Sequence, residues 1–372
     1  MDQLICRDCK KIYGLDTPIW KCTCGGLLDI EFTAVFDLER IRSRPPTLWR
    51  YREALPLARD ENQITLGEGF TPLVPVDFGG RKVLVKQDQL FPTGSYKDRG
   101  AAVLISKVKE LGIRQVVEDS SGNAGCAVAA YCAAGGISCQ IYVPESTALG
   151  KLAQIQLYGA DLRRIPGSRE DTAQAVMAAA QNMYYASHSW NPFFFHGTKT
   201  WAFEVAEQLG WQAPDTVILP VGNGTLLLGA AIGFNELRQA GLIDSMPKLI
   251  GVQAGGCAPL ALAVKQGLDY VPEIEKHDTL AEGIAIAAPV RGMQIIQAVQ
   301  ASGGALLTVS EEEIVESLRS VSRQGYYIEP TSAAVTAGVT QYLRQAPRDE
   351  RIVTVFTGHG LKATEKMMKL AH

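Results

Sequence analysis

The stretch Phe91–Gly100, FPTGSYKDRG, sets a proline, a glycine and a serine directly ahead of a lysine. Pro92 and Gly94 mark a tight turn. The run from Lys97 to Gly112, KDRGAAVLISKVKELG, carries apolar residues at helical spacing and closes on a glycine suited to a helix C-cap. Lys97 therefore stands at a helix N-terminus, where the macrodipole favours acids over cations. Two readings fit this position. One is an exposed ammonium in water; the other is an amine wanted neutral, as a nucleophile toward a carbonyl.

Working outward, short β-branched runs alternate with helical stretches from Arg81 onward. The expected strands are 82–86, 115–119, 138–143, 161–165, 216–221, 248–254, 305–309 and 351–356. Ser310 to Glu313 reads as a capping box opening a helix that Gly325 closes. Repeated strand–helix alternation predicts an α/β fold with mainly parallel sheet covered by helices, and eight strands in 372 residues fit two sheets better than one.

In open α/β sheets ligands collect at the carboxyl ends of strands, and the polar loops of this chain sit at such ends. VVEDSSGNAG brings Ser120, Ser121, Gly122 and Asn123 to one. Gly222, Asn223, Gly224 and Thr225 follow a second, and Thr357 with His359 a third. The GNGT loop before a helix is suited to a phosphate. It matches neither a P-loop nor the GxGxxG dinucleotide pattern, and Gln253 stands where the latter needs an acid. HExxH and GxSxG are absent from the sequence, which removes zincin and the usual serine-hydrolase chemistry. A lysine amine, an asparagine loop, a phosphate cradle and a lone hydroxyl at a strand end together suit one ligand: an aromatic aldehyde bearing a phosphate, pyridoxal 5′-phosphate (PLP).

The bulk properties agree with an enzyme of small molecules. Hydrophobic residues make up 47%, charged residues 20%, and the net charge is −3. Nothing in that balance calls for nucleic acid or a membrane as partner, no run is long enough to span a bilayer, and the expected location is cytoplasmic. Cys126, Cys132, Cys139 and Cys257 lie in apolar segments and read as small buried hydrophobes. Cys6, Cys9, Cys22 and Cys24 form two knuckles with roughly the separation of a zinc ribbon. Either they hold a structural Zn²⁺, or they shape a ribbon-like turn that needs no metal.

The motifs LGEGFTPL (66–73), PTGSYKDRGA (92–101), SSGNAG (120–125), PVGNGTLLLG (220–229), IEPTSAA (328–334) and TGHGLK (357–362) occur in one order. In that order the chain resembles the threonine-synthase-like branch of the fold type II PLP enzymes, over about Cys6 to Lys362. The resemblance implies two domains, each a mainly parallel twisted sheet flanked by helices. Residues 1–50 would be an N-terminal ribbon-like segment and arm, 51–94 plus 191–372 the large cofactor-binding domain, and 95–190 the small domain.

It also implies Lys97 as the Schiff-base lysine and catalytic acid/base, with Tyr96 beside it against the cofactor and Asn123 on the 3′ oxygen. Gly222, Asn223, Gly224 and Thr225 would hold the cofactor phosphate, and Thr357 would meet the pyridine nitrogen. Ser120, Ser121 and Gly122 would hold the substrate carboxylate. The implied protein is a homodimeric lyase of amino-acid biosynthesis converting O-phospho-L-homoserine and water to L-threonine and phosphate by γ-elimination and β-replacement. The alternative is a related PLP lyase or β-replacement enzyme acting on serine, threonine or an O-substituted serine; a cofactor-free binding protein of the same fold is a third reading. Family members that grip a substrate phosphate commonly show an Asn-Ser pair and an arginine near an NP…EGQKT segment. In SHSWNPFFFHGTKT (187–200) His188 and Ser189 take the place of the pair, Phe194 of the arginine and His196 of the glutamate. His188, Ser189 and Lys199 are the substitute substrate contacts.

Overall fold

The computed structural model describes residues 2–147, 149–167 and 169–370. The chain forms two compact units, Met1–Phe70 with Lys97–Thr200, and Thr71–Tyr96 with Trp201–His372. These limits follow packing, whereas the boundaries at 51, 95 and 191 expected above follow motif positions.

The first unit is built on a four-stranded parallel sheet in the order Asp161–Ile165, Ser138–Pro144, Gln115–Glu118, Tyr184–Tyr185. Val116 lies opposite both Cys139 and Tyr184, so Gln115–Glu118 is covered on both edges. Its two valines are wholly buried, as a central parallel strand requires. The helix Lys97–Glu110, here called the lysine helix, is buried from Asp98 to Val108. Helix Asn123–Gly135 packs beside it, as does the short helix Pro192–Thr198.

That last crossing is glycine against backbone. A Cβ on Gly197 would fall 2.1 Å from the Arg99 carbonyl oxygen, and one on Gly100 would fall 2.3 Å from the Phe194 ring. A three-stranded antiparallel sheet, Ile12–Gly14, Gln3–Cys6 and Leu28–Glu31, carries the N-terminal cysteines. Leu4, Cys6 and Leu28 join the unit's hydrophobic core, and Trp20 meets Tyr185 and Trp190 edge-on at 5.0 and 5.6 Å. Cys126, Cys132 and Cys139 are buried in the same core.

The second unit holds a six-stranded sheet in the order Ala305–Val309, Lys248–Ala254, Thr216–Pro220, Ile352–Val355, Arg81–Lys86, Leu73–Phe78. Every pair is parallel except the last. The strand Leu73–Phe78 lies outside the expected set because Pro75 interrupts its pattern, and proline is tolerated here because this strand is an edge. All eight expected strands are present, shared between the two sheets. Ser310 and Glu313 close a reciprocal capping box on helix Glu311–Ser322.

The contact of the lysine helix with Pro192–Thr198 sets a direct test. Gly197→Ala forces a methyl group onto backbone that cannot move aside, and should destabilise the fold by about 3 kcal/mol. Calorimetry should show the melting temperature falling by about 6–12 °C.

Candidate active site

In the second unit, strand Thr216–Pro220 leads through Gly222, Asn223 and Gly224 into helix Thr225–Gln239. Gly224 is the N-cap, with φ +69, and contributes no side chain. A Cβ there would meet the Ile295 Cδ1 at 2.3 Å, and a Cβ on Gly222 would meet the Ile284 Cα at 2.9 Å. The sequence therefore keeps glycine at both positions, and the turn leads into the positive end of a 15-residue helix. The Tyr96 hydroxyl lies 2.8 Å from the Thr225 hydroxyl and is tied to this cradle.

Strand Ile352–Val355 leads to Thr357, two residues beyond its end and wholly buried. Ser332 Oγ accepts the Thr357 amide at 2.7 Å and the Gly358 amide at 3.3 Å. Its own proton is then directed to Thr357 Oγ1 at 2.8 Å, and Thr357 donates to the Glu329 carboxylate at 2.8 Å. The result is a neutral hydroxyl of fixed direction with one acceptor lone pair remaining. Gly358 admits the carboxylate, since a Cβ there would lie 2.4 Å from it. The Tyr96 amide donates to the Thr357 carbonyl at 2.9 Å, and Ser95 bridges Gly358. Ser95 and Tyr96 are thus pinned to the loop that carries Thr357.

In the first unit Lys97 opens the lysine helix, as the sequence predicted, and is half-buried. Its Nζ lies 5.6 Å from the centre of the Phe194 ring. Asn123 is the first residue of helix Asn123–Gly135, behind the N-cap Gly122. Ser120 folds back on that helix: its Oγ accepts the Gly122 amide at 3.2 Å, and its carbonyl would lie 1.8 Å from a Cβ on Gly125. Ser121 is half-buried in the same loop.

Beyond the lysine, His188 and Ser189 are buried at the foot of the short helix, with Ser189 Oγ 3.3 Å from Ser187 Oγ. His188 Nδ1 lies 2.7 Å from Glu118 Oε1, and its ring centre is 6.1 Å from that of Phe194, the two planes steeply inclined. The structure so brings Lys97, Phe194 and His188 together on one phenyl ring. Lys199 takes another direction: it is wholly buried, 2.9 Å from His196 Nδ1 and 5.0 Å from the centre of the Phe32 ring. Burial first and the Lys199 charge second hold the His196 pKa well below the ordinary value, so its ring is a neutral acceptor.

Sequence reasoning passed over three residues. Glu118 sits in the strand run QVVED, where one acid after two valines is the only signal; Glu329 and Ser332 lie within the quoted motif IEPTSAA.

The four N-terminal cysteines converge. Cys6 Sγ lies 3.5 Å from Cys24 Sγ and Cys9 Sγ 3.5 Å from Cys22 Sγ, with all four sulfurs within 4.8 Å of one another. The Cys24 amide, and after it the Tyr13 hydroxyl, lower the Cys22 thiol to about 6.

This geometry meets the comparisons with known proteins. The family described as pyridoxal-phosphate dependent enzyme matches residues 64–358. A threonine synthase of Methanocaldococcus jannaschii is 39% identical over 96% of this chain and 92% of its own length. One from Methanosarcina acetivorans is 36% identical over 97% and 92%. Among solved structures, serine racemase from Dictyostelium discoideum superposes with a TM-score of 0.67 at 26% identity, covering 78% of this chain and 92% of that one. The processed threonine deaminase isoform 2 of Solanum lycopersicum shares the fold, with a TM-score of 0.70 at 22% identity over 81% and 83%.

The chain belongs to the pyridoxal-phosphate dependent enzymes of fold type II, in their threonine-synthase-like branch. It is a PLP-dependent lyase by class, with two α/β units of the expected kind and no helix long and apolar enough, among the described residues, to cross a membrane.

The His196 ring gives a pH test. Its folded-state pKa is depressed, so the stability it supports is full above the unfolded-state value near 6.5 and falls as pH drops below it. Urea melts between pH 7.5 and 5 should show the wild type losing up to about 1.4 kcal/mol per pH unit relative to His196→Gln.

Proposed function

We propose that this protein is a threonine synthase, converting O-phospho-L-homoserine and water to L-threonine and phosphate. The observation that carries the reading is the likeness to threonine synthases along nearly the whole chain, together with the lysine, the glycine cradle and the buried strand-end hydroxyl. The residues fit PLP: glycine at 222 and 224, where a Cβ would strike Ile284 and Ile295, leaves a tight backbone turn at a helix N-terminus suited to the cofactor phosphate, and Lys97 supplies a primary amine at the start of its helix. When bound, the cofactor supplies an imine-forming aldehyde and a ring that accepts the electrons of a broken Cα–H bond.

In this reading Gly222, Asn223, Gly224 and Thr225 bind the phosphate, with Tyr96 held against Thr225. Thr357 would meet the ring nitrogen as a neutral hydroxyl, its proton turning from Glu329 to that nitrogen, and a nitrogen held by a hydroxyl rather than a carboxylate favours elimination and replacement over amino transfer. Asn123 bonds the 3′ oxygen. Ser120, Ser121 and Gly122 orient the substrate carboxylate. Lys97 would take the Cα proton of the bound substrate and move protons at Cβ, where water adds after phosphate leaves Cγ.

The supporting assay measures phosphate and threonine in one tube. Holoenzyme should release the two in equal amounts from O-phospho-L-homoserine. Lys97→Ala should lose about 10³-fold or more in turnover and yield no borohydride-fixed cofactor on the protein. Holoenzyme that leaves phosphohomoserine untouched while deaminating serine or threonine would instead assign the alternative lyase reading. The enzyme is proposed to work as a cytoplasmic homodimer.

The cysteine cluster completes the reading as a structural Zn²⁺ site. Tetrahedral zinc with Zn–S near 2.3 Å sets sulfurs about 3.8 Å apart, close to the 3.5 Å found here. Elemental analysis should find one zinc per chain. Cys9→Ser should remove it and lower the melting temperature by about 5 °C or more.

A further inference from the structure

Helix Glu311–Ser322 buries Ile314, Ser317, Leu318 and Val321 against the second unit. Its opposite face carries Glu312, Glu316, Arg319 and Arg323, all exposed. These positions follow the spacing i, i+4, i+7, i+11, so the four side chains form one stripe about 16 Å long. Two acids followed by two bases suit the helix macrodipole, and that order alone needs no partner. The register is another matter. Glu312 and Glu316 are neighbours at i,i+4, as are Arg319 and Arg323, and like charges at that spacing repel. The helix's other acids are used within the chain: Glu313 closes the capping box, and Glu311 accepts the Leu280 amide at 2.8 Å. Among the described residues no ion pair engages any of the four in the stripe, and Arg319 reaches the Leu370 carbonyl at 3.5 Å.

Glu312 and Arg323 are centred on the same point as Glu316 and Arg319, midway between Ser317 and Leu318. A second copy of the helix, laid antiparallel across a two-fold axis at that point, sets Glu312 against the partner's Arg323 and Glu316 against the partner's Arg319. We propose that this stripe is a self-association surface, docking on the same stripe of a second copy of the chain in antiparallel register. The inference names a surface for the homodimer proposed above and is independent of the reaction. Each pairing occurs twice about the axis, and every like-charged neighbour gains an opposite charge. Half-buried Val315 lies beside the stripe and gives the contact an apolar margin.

Other occupants fit less well. The helix borders a groove of about 950 Å³ shared with Asp77 of the edge strand Leu73–Phe78. Gln324 Oε1 accepts the Asp77 amide at 3.2 Å and Gln324 Nε2 donates to the Asp77 carbonyl at 2.9 Å, which fills the place of an added strand there. A uniformly charged partner would be attracted by one half of the stripe and repelled by the other. A partner bearing the same order of charges, reversed, satisfies both halves, and a second copy supplies it.

Sedimentation equilibrium tests this on the wild-type holoenzyme and two charge-reversed variants, Glu312→Arg with Glu316→Arg and Arg319→Glu with Arg323→Glu. Each variant alone sets like charge against like and should weaken association about 100-fold or more, halving the mass at concentrations where the wild type is associated. Mixing the two restores opposite charges across the axis and should return the full mass. Wild-type protein that stays monomeric, or variants that associate as the wild type does, overturn the proposal. Variants that dissociate but do not recover on mixing also overturn it, because charge pairing is then not what was lost. Should a variant fail to fold, the wild type decides: raising the salt from about 0.05 to 0.5 M should weaken association about 10-fold, and association indifferent to salt refutes the assignment. A monomer that converts O-phospho-L-homoserine would refute this inference alone. A charge-paired dimer that leaves it unconverted would refute the threonine synthase reading alone.

Discussion

The lysine helix can lie where it does because two glycines let it approach the helix Pro192–Thr198 at backbone distance. Gly197 sits under the Arg99 carbonyl and Gly100 under the Phe194 ring, each with less room than one methyl group needs. That approach buries the helix along most of its length and leaves its first residue, Lys97, at the end of a rigid rod. It also places Phe194 beneath the lysine and, through Phe194, fixes the neighbourhood of His188. The reactive amine proposed at Lys97 would need this rigidity, since an error of an ångström at a reacting group is costly in rate. In that reading the same crossing serves packing and chemistry.

The second unit reaches comparable order by hydrogen bonding. Ser332 receives two backbone amides, passes its proton to Thr357, and Thr357 passes its own to Glu329. Buried hydroxyls with several rotamers become directional only when each donor and acceptor is assigned in this way. The network is anchored at both ends, because Gly358 admits the carboxylate and the Tyr96 amide holds the Thr357 carbonyl. Tyr96 then links that loop to the glycine cradle through Thr225.

Much of this was legible in the sequence. The eight strands, the helix beginning at Lys97 and the glycine turn before Thr225 follow from periodicity and from turn chemistry. What escaped did so for physical reasons. Leu73–Phe78 carries a proline that only an edge strand tolerates, and Tyr184–Tyr185 is too short to show a period. Lys199 reads as a candidate ligand for an anion, but its partner His196 lies one helical turn away, and whether that pair faces inward depends on tertiary packing. Glu118 looks like the solvent end of a strand; its burial becomes evident only when the turn bearing His188, 70 residues further on, is folded against it.

Both sheets keep apolar interiors and gather polarity at the carboxyl ends of their strands, yet the buried ions found there are not equivalent. Lys86 ends its strand with an ammonium that reaches the Thr71 carbonyl at 2.6 Å, Gln208 at 2.8 Å and Glu204 at 2.7 Å. An ammonium has three protons, and these three acceptors take them. Such a cation has nothing left to offer a ligand, and its role is to fix the helix bearing Glu204 and Gln208 to the sheet. Glu118 ends its strand with a carboxylate that meets His188 Nδ1 at 2.7 Å, which fastens the strand to the turn before the short helix Pro192–Thr198. The ammonium spreads its charge over three donors on one side chain, whereas the carboxylate is met by a ring whose orientation the pair fixes. Each buried ion is thus placed by the geometry of its partner, and each ties a strand end to the segment that covers it.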